Sequence, residues 1–433
     1  MSHERPRRRT IRLGDLARVE GEGALRVRLR GDRVEDVHLD IFEPPRFFEA
    51  LLRGRMYQEP VDITARICGI CPIAYQLTAA QAMEAAFGVT VDGPVRDLRR
   101  LIYCGEWIQS HALHVHLLHA PDFLGYDGGV EMARDHPDAV QRGLRIKKAG
   151  NRLMEVVGGR AIHPVNLRVG GFHRAPEVHE LAPLLDVLER AREDAAGVVR
   201  WVAGFEFPDL EIASELVALR HPGEYPVDRG RIVSDGGLDV AAESFGEHFV
   251  EDQVANSNAL VSRLHGRPYL LGSLARYTLS SDRLLPEVRE AAAGAGLGPE
   301  CRNPFRSIVV RALETLQACA EAVELVREYR PPDRPFVDVE PRAGTGSACT
   351  EAPRGTIHHR YRLDDQGRIL EATIVPPTSQ NQLAIEADLA RLVQDHLDLP
   401  KEGLTHLCER AVRNHDPCIS CAAHFLEVEL ERT

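Results

Sequence analysis

The chain has 433 residues, 44% of them apolar and 27% charged, ordinary values for a soluble globular protein and long enough for a large buried core. Its net charge of −12 argues against nucleic acid as the main partner, and no stretch approaches the ~18 consecutive apolar residues of a membrane span. Nine cysteines without a secretion signal point to thiols or metal ligands, not to disulfides.

In chain order, the basic start MSHERPRRRTIRL is followed by no apolar run of signal-peptide type, so a cytoplasmic chain is expected unless a partner carries the signal. Residues 24–42 alternate apolar and polar around Gly31-Asp32 and predict a β-hairpin. RICGICP then brings a Cys-x-x-Cys pair, Cys68 and Cys71, and opens a helix over 71–87. Helical spacing of apolar residues predicts further helices over 94–118, 137–157, 176–204, 306–328 and 380–397. Pro- and Gly-rich breaks fall near 158–175, 205–230, 264–275 and 331–356. A second hairpin is predicted over 358–375, turning at Asp365-Gln366-Gly367. A second pair, Cys418 and Cys421, stands in DPCISCAAH near the C-terminus; Asp416 suits an N-cap and Pro417 a first helical position. The expected fold is mainly α with peripheral β-hairpins around a bundle of long helices. It is expected as one merged domain to residue 424: a hairpin region 10–45, a helical core 71–330, a second hairpin region 350–378, and C-terminal helices with the metal motif 380–424.

Thiolates are soft ligands that select zinc, copper(I), iron–sulfur clusters or nickel. A zinc ribbon keeps its two pairs ~15–20 residues apart. Here nearly the whole chain separates them, so a local zinc module is disfavoured and a site assembled by the fold is expected. A helix start also stabilises a thiolate, through unpaired N–H groups and the positive dipole end. His424, three residues beyond Cys421, shares its helical face and reads equally as ligand or supporting residue. Cys104, Cys301, Cys319, Cys349 and Cys408 are scattered singly and read as buried small hydrophobes, which leaves no set for an iron–sulfur cluster. His111, His114, His116 and His119 spread over several faces of one helix and read as packing or partner-contact residues.

RICGIC near one end and DPCISCAAH at the other resemble the catalytic large subunit of nickel–iron hydrogenases. ARVEGEG (17–23), PPRFFEALLRGR (44–55), GGRAIHP (158–164), EAPRG (351–355) and PPTSQNQ (376–382) fall in order where that family places similar blocks. Tyr75, Gln76 and PPTSQNQ resemble its cytoplasmic, multimeric, NAD(P)-linked branch. The resemblance implies nickel bound by Cys68, Cys71, Cys418 and Cys421, with Cys71 and Cys421 bridging to an iron that carries carbon monoxide and cyanide. It implies heterolytic splitting of dihydrogen, with Cys418 as terminal base and Glu20 as proton relay. Alone, Glu20 reads as a carboxylate at a strand or turn end, with Glu22 its local competitor. Arg354 matches the arginine over the metal site, Pro377 and Thr378 the segment contacting an iron cyanide, and Asp416 the aspartate beside the cysteine pair. Glu49 and His424 match ligands of a second metal, commonly magnesium; alone, Glu49 reads as a solvated helix carboxylate. Ser110 stands where many members carry an aspartate, so hydrogen bonding to Arg354 is expected to differ.

The resemblance further implies an iron–sulfur small subunit, flavin- and NAD(P)-binding diaphorase-type subunits, and a maturation endopeptidase that removes residues 425–433. Two other readings stand beside it. One is a non-catalytic coupling subunit related to the quinone-site subunit of respiratory complex I, a relative that lacks the four cysteines. The other is a zinc-stabilised protein, disfavoured by the spacing.

Overall fold

The computed structural model describes residues 8–423. Strands β1 (Arg8–Asp15), β2 (Gly23–Arg30) and β3 (Arg33–Ile41) form an antiparallel sheet in that order. The predicted hairpin is β2–β3, whose Arg30 and Arg33 pair across the Gly31-Asp32 turn. Leu25, Val27 and Leu29 alternate inward, while Arg26 and Arg28 pair across the strands with Asp40 and Asp36. β1 is an addition to the predicted hairpin. The loop between β1 and β2, residues 16–22, holds most of the ARVEGEG block and is closed by Leu16 N–H donating to the Gly23 carbonyl (2.9 Å).

A short helix, α1 (Phe48–Leu52), precedes the long ones: α2 (Pro72–Phe87), α3 (Gly93–Leu113), α4 (Pro137–Gly158), α5 (Leu184–Ala203) and α6 (Ser307–Glu328). α2 is apolar on nearly every face and is accordingly buried on nearly every face. α3 packs on α4 and α6, and α5 on α4 and α6, which makes the expected bundle. α3 runs on into a π-helical turn, His114–His119, where residues five apart come together: the His114 and His119 rings lie 5.0 Å apart. His111 of α3 and the three histidines of this turn, His114, His116 and His119, are all buried within the chain, so they are packing residues.

All four predicted breaks contain strands, the first only a two-residue pair, Leu167–Arg168 with Gly171–Phe172. Residues 205–270 carry a four-stranded sheet ordered Tyr269–Leu270, Glu215–Arg220, Arg231–Ser234, Asp239–Val240. The break at 331–356 contains β4 (Gly344–Ala352), which joins β5 (Gly355–Leu363) and β6 (Ile369–Val375) in an antiparallel meander. Its sequence GTGSACTEA looks like a loop because its backbone lies against α2, where only glycine fits: a Cβ on Gly346 would meet the Ala82 carbonyl at 2.0 Å. The chain ends in α7 (Pro377–Asp395), α8 (Lys401–Asn414) and the one-turn α9 (Ile419–Ala422). Among the described residues no helix is long and apolar enough to cross a membrane.

The α3–α4 contact depends on glycine. A Cβ on Gly150 would sit 2.6 Å from the Gly105 carbonyl oxygen and 2.7 Å from the Gln109 nitrogen. Gly150→Ala is therefore expected to destabilise the chain by about 1–3 kcal/mol through overpacking. Gly403→Ala in α8, with no neighbour nearer than 3.7 Å, should stabilise it by about 0.5 kcal/mol. Denaturation midpoints of the two variants should move in opposite directions.

Candidate metal centre

Four segments distant in sequence meet at one buried point. Cys68 ends a 3-10 turn in extended conformation, and Cys71 caps α2, with Pro72 as the first helical residue. At the other end Cys418 occupies the position before α9, and Cys421 lies within it. Both pairs thus stand at helix starts. Asp416 is not the N-cap: it adopts a left-handed backbone (φ 51°) and turns its carboxylate to Arg354, an ion pair that a buried site favours over capping.

The sulfur atoms of Cys68, Cys71, Cys418 and Cys421 all lie within 4.8 Å of one another, and all four residues are buried. Sγ–Sγ separations are 3.5 Å for Cys68–Cys418, 3.7 Å for Cys71–Cys421 and 3.0 Å for Cys418–Cys421. Four sulfurs at ~2.3 Å from one metal would be about 3.8 Å apart, so the cage fits a thiolate-bound metal with little movement. Hydrogen bonds from Cys418, Cys421 and Cys71 hold the Cys68 thiol well below the ordinary range, with Arg354 adding to them. Cys418 is pushed up by its hydrogen bonds to Cys421, Cys68 and Cys71 and by burial.

The β1–β2 loop brings Glu20 to this cage. Ile419 N–H donates to the Glu20 carbonyl (2.8 Å), Ser420 N–H to its Oε2 (3.0 Å), and the Cys418 thiol to the same oxygen (3.1 Å). Burial raises its pKa, and the Cys68 charge raises it further. Gly21 next to it is at φ 89°, and a Cβ there would meet Ile419 and the Ser420 nitrogen at under 3 Å. Glu22 is exposed, so the local competitor lies outside the site.

Arg354 is at the tip of the β4–β5 hairpin: Ala352 pairs with Gly355, leaving Pro353 and Arg354 as the turn. Its guanidinium meets Asp416 twice (2.9 and 3.0 Å) and donates to Ser110 Oγ (2.6 Å). Burial opposes its charge, but Asp416 and the sulfurs of Cys418, Cys71 and Cys68 outweigh burial and keep it cationic. Pro377 opens α7 and sets Thr378, whose Oγ1 accepts from Cys418 N–H (2.9 Å).

Glu49, in α1, is buried, not solvated. It accepts from Ile374 N–H (2.6 Å), and burial pushes its carboxyl up to about 7. Glu251 faces it, pushed up to about 8 by burial and by the Glu49 charge. His424 lies outside the described residues, as do 425–433. The carbonyl of Ala423 accepts from Arg46 N–H (3.2 Å), so the described chain ends against the segment leading into α1.

Several supporting residues were not singled out in the sequence. Glu106 of α3, fully buried, accepts from Ile73 and Ala74 N–H (2.6 and 3.2 Å) and so caps the helix that Cys71 begins. Arg276 uses all five N–H donors, on Glu314, Glu351 and the carbonyls of Ala352 and Pro353, and so pins the turn that carries Arg354. The available signal was a charged residue inside an otherwise apolar stretch, as in Glu106 and Glu314.

The family model of nickel-dependent hydrogenases matches residues 46–135. Sulfhydrogenase 1 subunit alpha of Pyrococcus furiosus is 32% identical over 422 residues, 96% of this chain and 98% of its own. The beta subunit of the NAD-reducing hydrogenase HoxS of Cupriavidus necator is 26% identical, over 96% of this chain and 95% of its own. The solved structure of an NAD+-reducing NiFe hydrogenase in its H2-reduced state has a TM-score of 0.86 at 27% identity, covering 97% of this chain and 100% of that one.

Cys71→Ser and Cys421→Ser should each lower bound transition metal by at least about tenfold, because one hard oxygen replaces a soft donor in a closed set. Elemental analysis of purified protein tests this, with circular dichroism confirming retained helix content.

Proposed function

This chain belongs to the nickel-dependent hydrogenase family as a large subunit, and from that premise we propose that its buried thiol cage is where dihydrogen is split. The observation that carries the reading is the convergence of four sulfurs, one carboxylate and one guanidinium at a single dry point. Nickel held by Cys68, Cys71, Cys418 and Cys421, with an iron sharing Cys71 and Cys421 and carrying carbon monoxide and cyanide, would supply the redox chemistry and polarise dihydrogen for heterolysis. The residues provide the rest. Cys418 is the terminal base, and Glu20, with Oε2 3.1 Å from its sulfur, receives the proton. Burial makes that carboxyl a weaker acid, raising its pKa toward the range where it can both accept and release a proton.

Arg354 keeps a positive charge beside the thiolates and donates to an iron ligand or to the polarised substrate, while Asp416 and Ser110 fix its plane. Thr378, set by Pro377, anchors the Cys418 amide and offers its hydroxyl proton to a cyanide. Glu49, with His424, holds a second cation, magnesium. A cation there would offset the burial that raises the Glu49 and Glu251 carboxyls.

Electrons leave by another face. Gly69, between the first two cysteines, is exposed and flanked by Ile162 at 60% exposure. An iron–sulfur small subunit docks there, across an obligate interface of more than ~2,000 Å². Diaphorase-type subunits with flavin and NAD(P) lie beyond it, as the NAD-reducing relative suggests, and the complex works in the cytoplasm. A coupling subunit without catalysis is not favoured, since the four sulfurs it would lack are gathered here.

Hydrogen-dependent dye reduction by the purified complex tests the activity. Glu20→Gln keeps shape and loses the titratable group, so nickel and iron content should stay normal while deuterium–proton exchange falls by about a hundredfold. Unchanged exchange would remove Glu20 from the path. A maturation endopeptidase is expected to cut after His424, so that the cysteine-bearing end packs inward only once metal is in place. Intact mass of active protein should therefore correspond to a chain of residues up to 424, with the 433-residue form accumulating when nickel is withheld.

A further inference from the structure

The loop that carries Glu20 is closed at its ends by Leu16 N–H on the Gly23 carbonyl and by Glu22 N–H on Glu43 Oε2 (3.1 Å), and its side chains have two further anchors, only one of them at the cage. Residues 16–22 have no regular structure, so the position of the Glu20 carboxylate depends on what anchors the loop. One anchor is the contact of Glu20 with Cys418, Ile419 and Ser420. The other side-chain anchor is Asp122, on the short helix Ala120–Leu124 beyond the π-helical turn. Arg18, two residues before Glu20, donates to Asp122 Oδ1 (2.5 Å) and to the Leu118 carbonyl (2.9 Å). Arg413, near the end of α8, forks onto the same carboxylate (2.7 and 2.8 Å) and donates to the Ala17 carbonyl (2.9 Å).

One buried carboxylate therefore ties the arm bearing the proton acceptor to the helix that leads, five residues later, to its donor. The side chains of Asp122 and Arg413 are 0% and 1% exposed, and that of Arg18 only 13%. Arg18 adopts a left-handed backbone (φ 60°), a conformation that costs a non-glycine residue about 1 kcal/mol or more and persists only where side-chain anchors outweigh it. Burial works against the Asp122 charge, but the two guanidiniums and His119 hold the carboxyl below its usual range.

We propose that Asp122 is a positioning residue for proton transfer: through Arg18 and Arg413 it sets the separation between Glu20 and Cys418. This rests on the reading of Glu20 as proton acceptor. A carboxylate displaced by about 1 Å transfers protons far more slowly, while splitting and recombination of dihydrogen at the cage need no transfer to solvent.

The test uses the nickel-loaded complex with its small subunit, carrying Asp122→Asn, Arg18→Gln or Glu20→Gln. Two rates are measured on each: deuterium–proton exchange with water, and conversion of para- to ortho-hydrogen, which requires splitting without loss of the proton. The ratio of exchange to conversion should fall about tenfold or more in Arg18→Gln and Asp122→Asn, with partial recovery in Arg18→Lys. Amide hydrogen exchange over residues 16–22 should quicken in the same variants. A ratio unchanged there but lowered in Glu20→Gln would overturn the positioning role and leave the Glu20 reading standing. A ratio unchanged in Glu20→Gln would overturn both. If Asp122→Asn fails to fold, Arg18→Gln decides, since it leaves the Asp122–Arg413 pair intact.

Discussion

Four soft sulfur donors must be brought within a few ångströms of one another in a dry interior, although Cys68 and Cys418 are 350 residues apart. That single requirement shapes the rest of the molecule. Closing so long a loop costs only slowly growing chain entropy, whereas holding polar sulfurs away from water demands a wall of packed apolar groups around them. The apolar helix α2 and the glycine-lined β4 strand provide much of that wall. The same requirement explains why the first strands and the last described helices are interleaved: Glu20 bridges to Cys418, and Arg46 to Ala423.

A thiolate cage in low dielectric needs positive charge nearby, and a buried guanidinium needs carboxylates in turn. The result is a connected interior of charged groups. Arg354 faces the sulfurs and Asp416 faces Arg354, while Arg276 with Glu314 and Glu351 pins the turn from which Arg354 projects. Asp122 with Arg18 and Arg413 does the same for the Glu20 loop. Such networks are weak evidence for stability, because well-packed apolar residues would often serve as well or better. Their value here is geometric, since each guanidinium has a defined plane that fixes the backbone it binds.

On the proposed reading the geometry also separates two flows. The proton leaves by Glu20, on the side where the N-terminal loop meets α9. On the same reading electrons leave past Gly69 and Ile162, on the side of the first cysteine pair. Glycine occurs where these paths run close to backbone, as at Gly21, because a Cβ would collide with α9 and move the carboxylate. Glu106 has a quieter part: by accepting two N–H groups at the start of α2 it fixes the helix that Cys71 caps, without touching a sulfur.

The two Cys-x-x-Cys pairs were legible as soft-ligand chemistry, and the fold gathers their four sulfurs; Glu20, Arg354, Thr378 and Asp416 were expected only through the family resemblance, and the fold brings them beside those cysteines. Helical periodicity likewise placed the long helices, and alternation placed both hairpins. The sequence could not show that GTGSACTEA is a strand, since its glycines reflect contact with a helix more than 250 residues earlier in the chain. Nor could it show that Asp416 abandons a capping role, a choice made by a buried Arg354 that arrives from another hairpin. Asp122, Glu106, Glu251 and Arg276 read as ordinary charged residues until the fold buries them. Sequence alone determined which atoms could bind a metal; tertiary structure decided which charges support them, because desolvation and pairing exist only once distant segments are packed together.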